Sequence, residues 1–252
     1  MLLRQRVDTL CVCLENHNMS KDTNFYNKEG AVYSQKRYPV ISTDYVHFFF
    51  KKRRAILMRM LRDISATYPQ MTALLEVGCA DGVIIRGIKS YFPKFTQLVG
   101  VDISPAMIAE AIGQSSGDID FYVRDRDVYG AFDVVVEVGV VNLTDMEMEF
   151  IFVKKNMKHG GYYICSLASR TSSRSRLKFN HTDFANHLSF EEYEEAISSH
   201  FVIVEAESYG LFVPIIWKIP FLGRLLQLFA EVVGKICCPQ LFHEKIYLLR
   251  LR

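Results

Sequence analysis

The sequence has no C-x-x-C pair, and no histidine stands at zinc-ligand spacing from two of its six cysteines, Cys11, Cys13, Cys79, Cys165, Cys237 and Cys238. Neither a structural zinc site nor a thioredoxin-type redox pair is supported, and no metal is expected. The cysteines read as free thiols in a reducing cytosol. No uncharged apolar run reaches the ~18 residues of a spanning helix. The opening stretch MLLRQRVDTLCVCL is interrupted by Arg6 and Asp8 and does not read as a signal peptide. Neither sign of charge is in excess: 30 Lys and Arg against 28 Asp and Glu leave +2, which gives no reason to expect nucleic acid. Internal repeats and low-complexity segments are absent.

What is present is a chain of 252 residues, half of them hydrophobic, enough for one α/β domain with an added cap. Residues 1–66 form an N-terminal segment ending in a helix, and 67–252 the main domain. Residues 43–66 carry Val46, Phe50, Leu57, Leu61 and Ile64 at helical spacing. The basic run Lys51–Arg54 reads as the solvated face of that helix, or as a contact for anionic lipid or phosphate. From residue 73 strands and helices alternate. ALLEV (73–77), QLVGVD (97–102), IDFYV (119–123), FDVVVEV (132–138), YYICSLA (162–168), FVIVEAE (201–207) and KIYLLRLR (245–252) read as strands. Ser104 and Pro105 cap a helix. Thr144-x-x-Glu147 and Ser189-x-x-Glu192 read as capping boxes, with Gly160–Gly161 ending the helix that Thr144 starts. This alternation specifies a doubly wound, mostly parallel sheet.

In such a sheet ligands gather at the carboxyl ends of the strands. The first strand ends in Gly78-Cys79-Ala80-Asp81-Gly82. Ala80 stands where a dinucleotide fingerprint needs its second glycine and Val83 where it needs its third. No G-K-[ST] follows, so the turn is not a phosphate loop. Gly78 and Gly82 permit close approach and unusual backbone angles. Asp81 can cap the next helix or meet a cationic ligand. Asp102, twenty residues past Gly82 at the end of the second strand, can accept from both hydroxyls of a ribose. The two acids at successive strand ends point to a nucleoside ligand without phosphates.

The stretches LLEVGCADG, LVGVDISPAMIAEA, FYVRDRD, FDVVVEVGVVNLT and MKHGGYYICSLAS resemble the class I S-adenosylmethionine-dependent methyltransferases, specifically over about 72–168. The resemblance implies a Rossmann-like seven-stranded sheet with its last strand antiparallel and S-adenosyl-L-methionine as cofactor. It implies that Glu76 and the 78–82 turn face the cofactor's methionine part. Asp102 would take the ribose, and Ile103 and Met107 would lie along the adenine side. Asp125, with Arg124 and Arg126 beside it, would meet the adenine amino group, and Val138 and Gly139 would lie beside the cofactor. FYNKEGAVYSQKRYP (25–39) resembles the lid of such enzymes, with Tyr33, Arg37 and Tyr38 as contacts to cofactor or substrate.

For a hydroxyl acceptor a general base helps. His187 is the first candidate, with His181 and Asp183 nearby in sequence, and Asn142 is a candidate to orient the acceptor. SRTSSRSRLK (169–178) reads as a flexible basic loop, either solvated or set to meet a phosphate or carboxylate on the substrate. The insertion 209–243 is strongly apolar, with Arg224, Gln227, Glu231 and Lys235 as a narrow polar stripe. It reads either as packing over the sheet edge, or as a site for a lipid-linked substrate or for peripheral membrane contact through 209–240. The expected activity is methyl transfer to a small molecule, a hydroxyl of a sugar, glycan or lipid-linked intermediate. A quinone- or polyketide-type O-methyltransferase and a cofactor-binding scaffold without turnover are the alternatives. The expected location is cytoplasmic, with membrane association through the insertion.

Overall fold

The computed structural model describes residues 33–38, 45–177, 187–213, 216 and 222–251. A seven-stranded sheet runs through it in the order β3-β2-β1-β4-β5-β7-β6. The strands are β1 (Ala73–Val77), β2 (Gln97–Asp102), β3 (Asp120–Val123), β4 (Phe132–Val138), β5 (Met157–Ala168), β6 (Phe201–Leu211) and β7 (Phe242–Leu251). The pairs β1–β2, β1–β4, β2–β3 and β4–β5 are parallel. Only β7 runs against its neighbours, the expected antiparallel last strand. Strand order reverses between β1 and β4, so the ligand crevice falls at their carboxyl ends.

Helices cover both faces. The helix α1 (Tyr33–Arg37) precedes α2 (Tyr45–Thr67), and with α3 (Val83–Tyr91) and α4 (Pro105–Gly113) they lie on one side. There Leu57, Met60, Leu61, Ile85 and Ile88 pack on Leu74, Val134, Val136 and Ile164. Helices α5 (Met146–Asn156) and α7 (Phe190–Ser198) cover the other side, packing Phe150, Val153, Tyr193 and Ile197 on Leu75, Val135 and Tyr163. A short α6 (Ser173–Arg176) follows β5, and α8 (Gly223–Cys237) lies between β6 and β7. Cys79 and Cys165 are buried free thiols, Cys237 is exposed and Cys238 half-buried; Cys11 and Cys13 lie outside the described residues.

Most caps stand where the sequence puts them. Ser104 accepts from the Met107 amide at 3.2 Å, and Ser189 and Glu192 close a full capping box. The cap of α5 is Asp145, not Thr144. The Asp145 carboxylate accepts from the amides of Glu147 (3.0 Å) and Met148 (3.1 Å), while the Thr144 hydroxyl donates to the Val141 carbonyl. A carboxylate accepts from a helix N-terminus more strongly than a neutral hydroxyl does. Gly160–Gly161 does not end a helix. It lies inside β5 as an irregularity, where pairing with β4 jumps from Phe132↔Met157 to Val134↔Tyr162. A Cβ on Gly161 would lie 2.9 Å from the Lys158 carbonyl oxygen. At the start of α2 the buried positions are Tyr45, Phe48 and Phe49, and Val46 is exposed, so the apolar stripe is rotated there from the expected one.

Helix α8 is turned inside out. Gln227 and Glu231 of the expected polar stripe are its buried face. The Gln227 amide donates to the Leu211 carbonyl at 2.5 Å, and Glu231 accepts from the Gly210 amide at 3.1 Å. Gly234 lets the helix approach, since a Cβ there would lie 2.7 Å from Leu211. The face turned outward is apolar: Leu225, Phe229, Val232 and Ile236 are 64%, 68%, 63% and 81% exposed. The insertion therefore does not simply pack its apolar side on the sheet edge. Among the described residues no helix is long and apolar enough to cross a membrane.

Candidate active site

The turn after β1 holds three left-handed residues, Gly78 (φ 69°), Ala80 (φ 48°) and Gly82 (φ 76°). At Gly78 a Cβ would fall 2.2 Å from Val140 Cγ2, so the residue must be glycine. The amides of Gly78 and Cys79 both donate to the Val101 carbonyl, at 2.8 and 3.0 Å, which ties the turn to β2. Asp102 completes the tie. Its Oδ2 accepts from the Ala80 amide and its Oδ1 from the Ser104 amide, each at 2.9 Å. Each carboxylate oxygen has two lone pairs, so Asp102 organises the turn and keeps acceptor capacity. Burial raises its pKa, against the backbone hydrogen bonds that lower it.

Glu76 is buried at the end of β1, and its Oε2 has no partner. Burial raises its pKa well above the usual carboxylate range, and the charges of Asp81 and Asp102 add to this. A vacant carboxylate oxygen in an acidic, dry setting suits a cationic partner. The orphaned atom and the glycine-permitted turn fit a ligand with an ammonium and a sulfonium and no phosphate. Asp81 is engaged with the protein. Its Oδ1 accepts from the Val83 amide at 3.3 Å, and its Oδ2 from both the amide and the hydroxyl of Ser34 in α1. It therefore latches α1 onto the turn. Tyr33 and Arg37 stack on each other, with the guanidinium 4.0 Å from the ring centre. Tyr38, next in line, has its pKa pushed up to about 12, chiefly by burial, under the opposing influence of Arg53 and Glu76.

Of the residues the resemblance puts on the adenine side, Ile103 is half-buried and Met107 fully buried. Asp125 and Arg126 line an open cleft of about 610 Å³ together with Ile108, Phe121, Tyr122 and Val123. Arg124 turns away, pairing with Glu149 at 2.9 Å and covering the Phe152 ring. At the end of β4, Val138 is buried and the Gly139 amide donates to Ser166 Oγ at 2.9 Å.

Arg53 meets Gly139, where a Cβ would lie 2.7 Å from the guanidinium. It is buried, donates to Tyr209 Oη at 3.0 Å and pairs with Glu244 at 2.5 Å, while Tyr209 donates to Glu244 as well. Burial alone would lower the Arg53 pKa, but Glu244 and Tyr209 outweigh it and hold the charge. Beside Glu244, His243 packs its ring 5.4 Å from that of Phe49. Sequence reasoning overlooked this group. Arg53 was hidden in a basic run, although it stands three residues after Phe50 and four before Leu57, on the apolar stripe. Tyr209 and His243 are the two end residues of the segment read as an apolar insertion, and Glu244 stands just past it.

His187 is half-buried, with Nε2 3.4 Å from Ser175 Oγ, and burial lowers its pKa. His181 and Asp183 lie outside the described residues. Asn142 is not brought to an acceptor position. It clamps the end of β5, donating to the Ala168 carbonyl (3.2 Å) and the Tyr193 hydroxyl (2.5 Å) and accepting from the Ala168 amide (2.8 Å). Among the described residues no three His, Cys, Asp or Glu side chains come together to hold a metal.

Residues 75–163 match the family described as a methyltransferase domain. No curated protein matches the sequence significantly. Among solved structures, geranyl diphosphate C-methyltransferase from Streptomyces coelicolor A3(2), in complex with Mg2+, geranyl diphosphate and S-adenosyl-L-homocysteine, is 14% identical. That match covers 93% of this chain and 98% of the other, with a TM-score of 0.62. Magnesium protoporphyrin IX methyltransferase from Synechocystis PCC 6803, with bound SAH, is 13% identical over 93% of this chain and 100% of the other, with a TM-score of 0.61. Phosphoethanolamine N-methyltransferase 2 from Haemonchus contortus, in complex with S-adenosyl-L-methionine, is 17% identical. It matches 76% of this chain with 51% of its own, at a TM-score of 0.51. At these identities the likeness is one of fold.

Proposed function

We propose, for a chain that is a class I S-adenosylmethionine-dependent methyltransferase, that its acceptor is a hydroxyl on a small, lipid-linked molecule reached at a membrane surface. When bound, S-adenosylmethionine supplies a methyl carbon already electrophilic on a cationic sulfur. The residues assigned to hold it are Glu76 and the 78–82 turn for the methionine part, and Asp102 for the ribose. Ile103, Met107, Asp125 and Arg126 take the adenine side, and Val138 and Gly139 flank the reacting end. Arg124 is held by Glu149 and enters this assignment only through its backbone. The work left to the chain is to align the acceptor and exclude water. Helix α1, carrying Tyr33 and Arg37, followed directly by Tyr38 and latched through Ser34 and Asp81, is suited to the second task. His187, whose pKa is lowered by burial, is assigned as the base that takes the acceptor's proton.

The observation that carries the acceptor class is α8. A helix that buries Gln227 and Glu231 and exposes Leu225, Phe229, Val232 and Ile236 presents an apolar ridge of a kind that marks an interaction surface. At 15 residues it is about 22 Å long. Paired with a second copy it would bury on the order of 900 Å², under the ~1,200 Å² of stable interfaces, so a lipid surface is the better partner. A quinone or polyketide acceptor would use the same ridge. The test is transfer of labelled methyl from S-adenosylmethionine to separated lipid, quinone and sugar-nucleotide fractions. Label confined to the lipid fraction supports the reading, label in the quinone fraction favours the second, and tight cofactor binding with no labelled product anywhere leaves a scaffold.

A further inference from the structure

The basic stretch after β5, expected as a flexible loop, is bolted down. Ser172 caps α6 by accepting from the Ser175 amide at 3.2 Å. Ser175 Oγ donates to the Ser169 carbonyl at 3.2 Å and lies 3.4 Å from His187 Nε2. Ser173 Oγ accepts from the Phe212 amide at 3.1 Å. These contacts hold Arg174 between His187 on one side and Phe212 on the other. Phe212 in turn packs on Tyr45, with ring centres 4.7 Å apart.

The start of β7 comes to the same place. The His243 carbonyl accepts from the Ser169 amide at 2.9 Å, and the His243 ring lies against Phe49. Two polar atoms in this cluster are buried without a partner, His243 Nδ1 and Arg174 Nε. The His243 side chain belongs to a residue only 6% exposed. Unpaired buried polar atoms are rare and costly, and here two come from separate elements.

The charges around them do not balance. Arg53 is neutralised by Glu244. Glu231 accepts from the Gly210 amide and has Lys52 at 3.8 Å. Tyr45 stays protonated, because burial raises its pKa. Burial, with Arg174, Arg53 and His187 nearby and against the pull of Glu244, pushes His243 down to about 4, so it is neutral. Arg174, by contrast, has no carboxylate partner among the described residues. A half-buried guanidinium beside a neutral imidazole that can turn an N–H inward is a donor pair for an oxyanion.

We propose that the acceptor carries an oxyanion, a carboxylate or a phosphate, that seats between Arg174 and His243. The aromatic wall of Phe49, Tyr45 and Phe212 faces the rest of the molecule. The seat lies beside the Arg53–Glu244 pair that touches Gly139, so an anchored acceptor has its other end toward the reacting position. The proposal rests on the methyltransferase reading only for the word acceptor; the anion seat itself does not depend on it.

The test uses the full chain, with and without saturating S-adenosylhomocysteine, titrated separately with inorganic phosphate and with benzoate while histidine ring 15N signals are followed. The His243 signal is identified by its loss in His243→Gln. The expected result is a saturable His243 shift with at least one anion, phosphate alone naming a phosphate and benzoate alone a carboxylate. Arg174→Gln weakens that titration about tenfold or more, the loss of one charge-assisted hydrogen bond, and leaves S-adenosylhomocysteine affinity unchanged. No saturable shift with either anion, or a titration indifferent to Arg174→Gln, overturns the proposal. Absence of S-adenosylhomocysteine binding in the wild type would instead overturn the cofactor reading and leave the anion result standing.

Discussion

Glu76→Gln separates what this residue does for the empty protein from what it does for the cofactor. The Glu76 carboxyl group is buried, with Oε2 unpaired. Its folded pKa is raised well above the ordinary 4.5, first by burial and then by Asp81 and Asp102. The folded state thus holds its proton more tightly than the unfolded one. The associated stability is fully present below about pH 4.5 and is lost as pH rises through the elevated value. Glutamine has no proton to lose and still offers an oxygen to the Ile85 backbone. The variant should match the wild type in melting temperature at pH 4 and exceed it at pH 8. Binding should change the opposite way. A hydrogen bond to a charged group contributes about 1.5–3 kcal/mol, so S-adenosylhomocysteine affinity should fall roughly 10- to 100-fold. Thermal melts from pH 4 to 8 and calorimetric titration read the two effects independently. A variant that binds within twofold of the wild type, or that melts lower at pH 8, would refute the reasoning.

Asp102→Ala removes the acceptor for the Ala80 and Ser104 amides as well as the assigned ribose contact, so cofactor affinity should weaken by roughly 1–3 kcal/mol or more, measured by the same titration; unchanged affinity would remove Asp102 from the site. Glu244→Gln leaves Arg53 buried and unpaired and should cost about 3–5 kcal/mol in urea unfolding. Replacing both, as in Arg53→Met with Glu244→Leu, should recover most of that loss, and a double variant no better than the single one would contradict a charge-pair explanation. Because the Glu244 pKa is held low against burial by Arg53, with a hydrogen bond from Tyr209, the pair's contribution is present above pH 4.5 and lost as pH falls through the depressed value. The stability gap between wild type and Glu244→Gln should therefore narrow in acid.

Where the sequence could be read, one local rule decided the matter. The strands β1, β2 and β4 begin and end where apolar runs do, and Ser104-Pro105 can hardly be anything but a helix start. The left-handed turn with Asp102 behind it follows from glycine spacing and strand ends. The errors arose where two rules competed. Thr144 and Asp145 are both good caps, and only the charge of Asp145 chooses between them. Gly160–Gly161 suits a helix end and a strand irregularity equally well. Arg53 looks solvated by composition and buried by spacing, and a partner 191 residues away decides it. The same holds for α8. Its two faces are plain in the sequence, but only the Leu211 carbonyl and the Gly210 amide, which need Gln227 and Glu231, show which face turns inward.

The central claim is a methyl transfer carried out at a lipid surface, and α8 permits a direct test. The full chain is incubated with methyl-labelled S-adenosylmethionine and vesicles of extracted membrane lipid, beside Phe229→Glu/Val232→Glu. Both altered side chains point outward, so the fold and S-adenosylhomocysteine binding should survive. The account predicts label in the lipid fraction for the wild type, and its loss together with vesicle flotation in the variant. Label that appears only in water-soluble acceptors, or that persists undiminished in the variant, would contradict it.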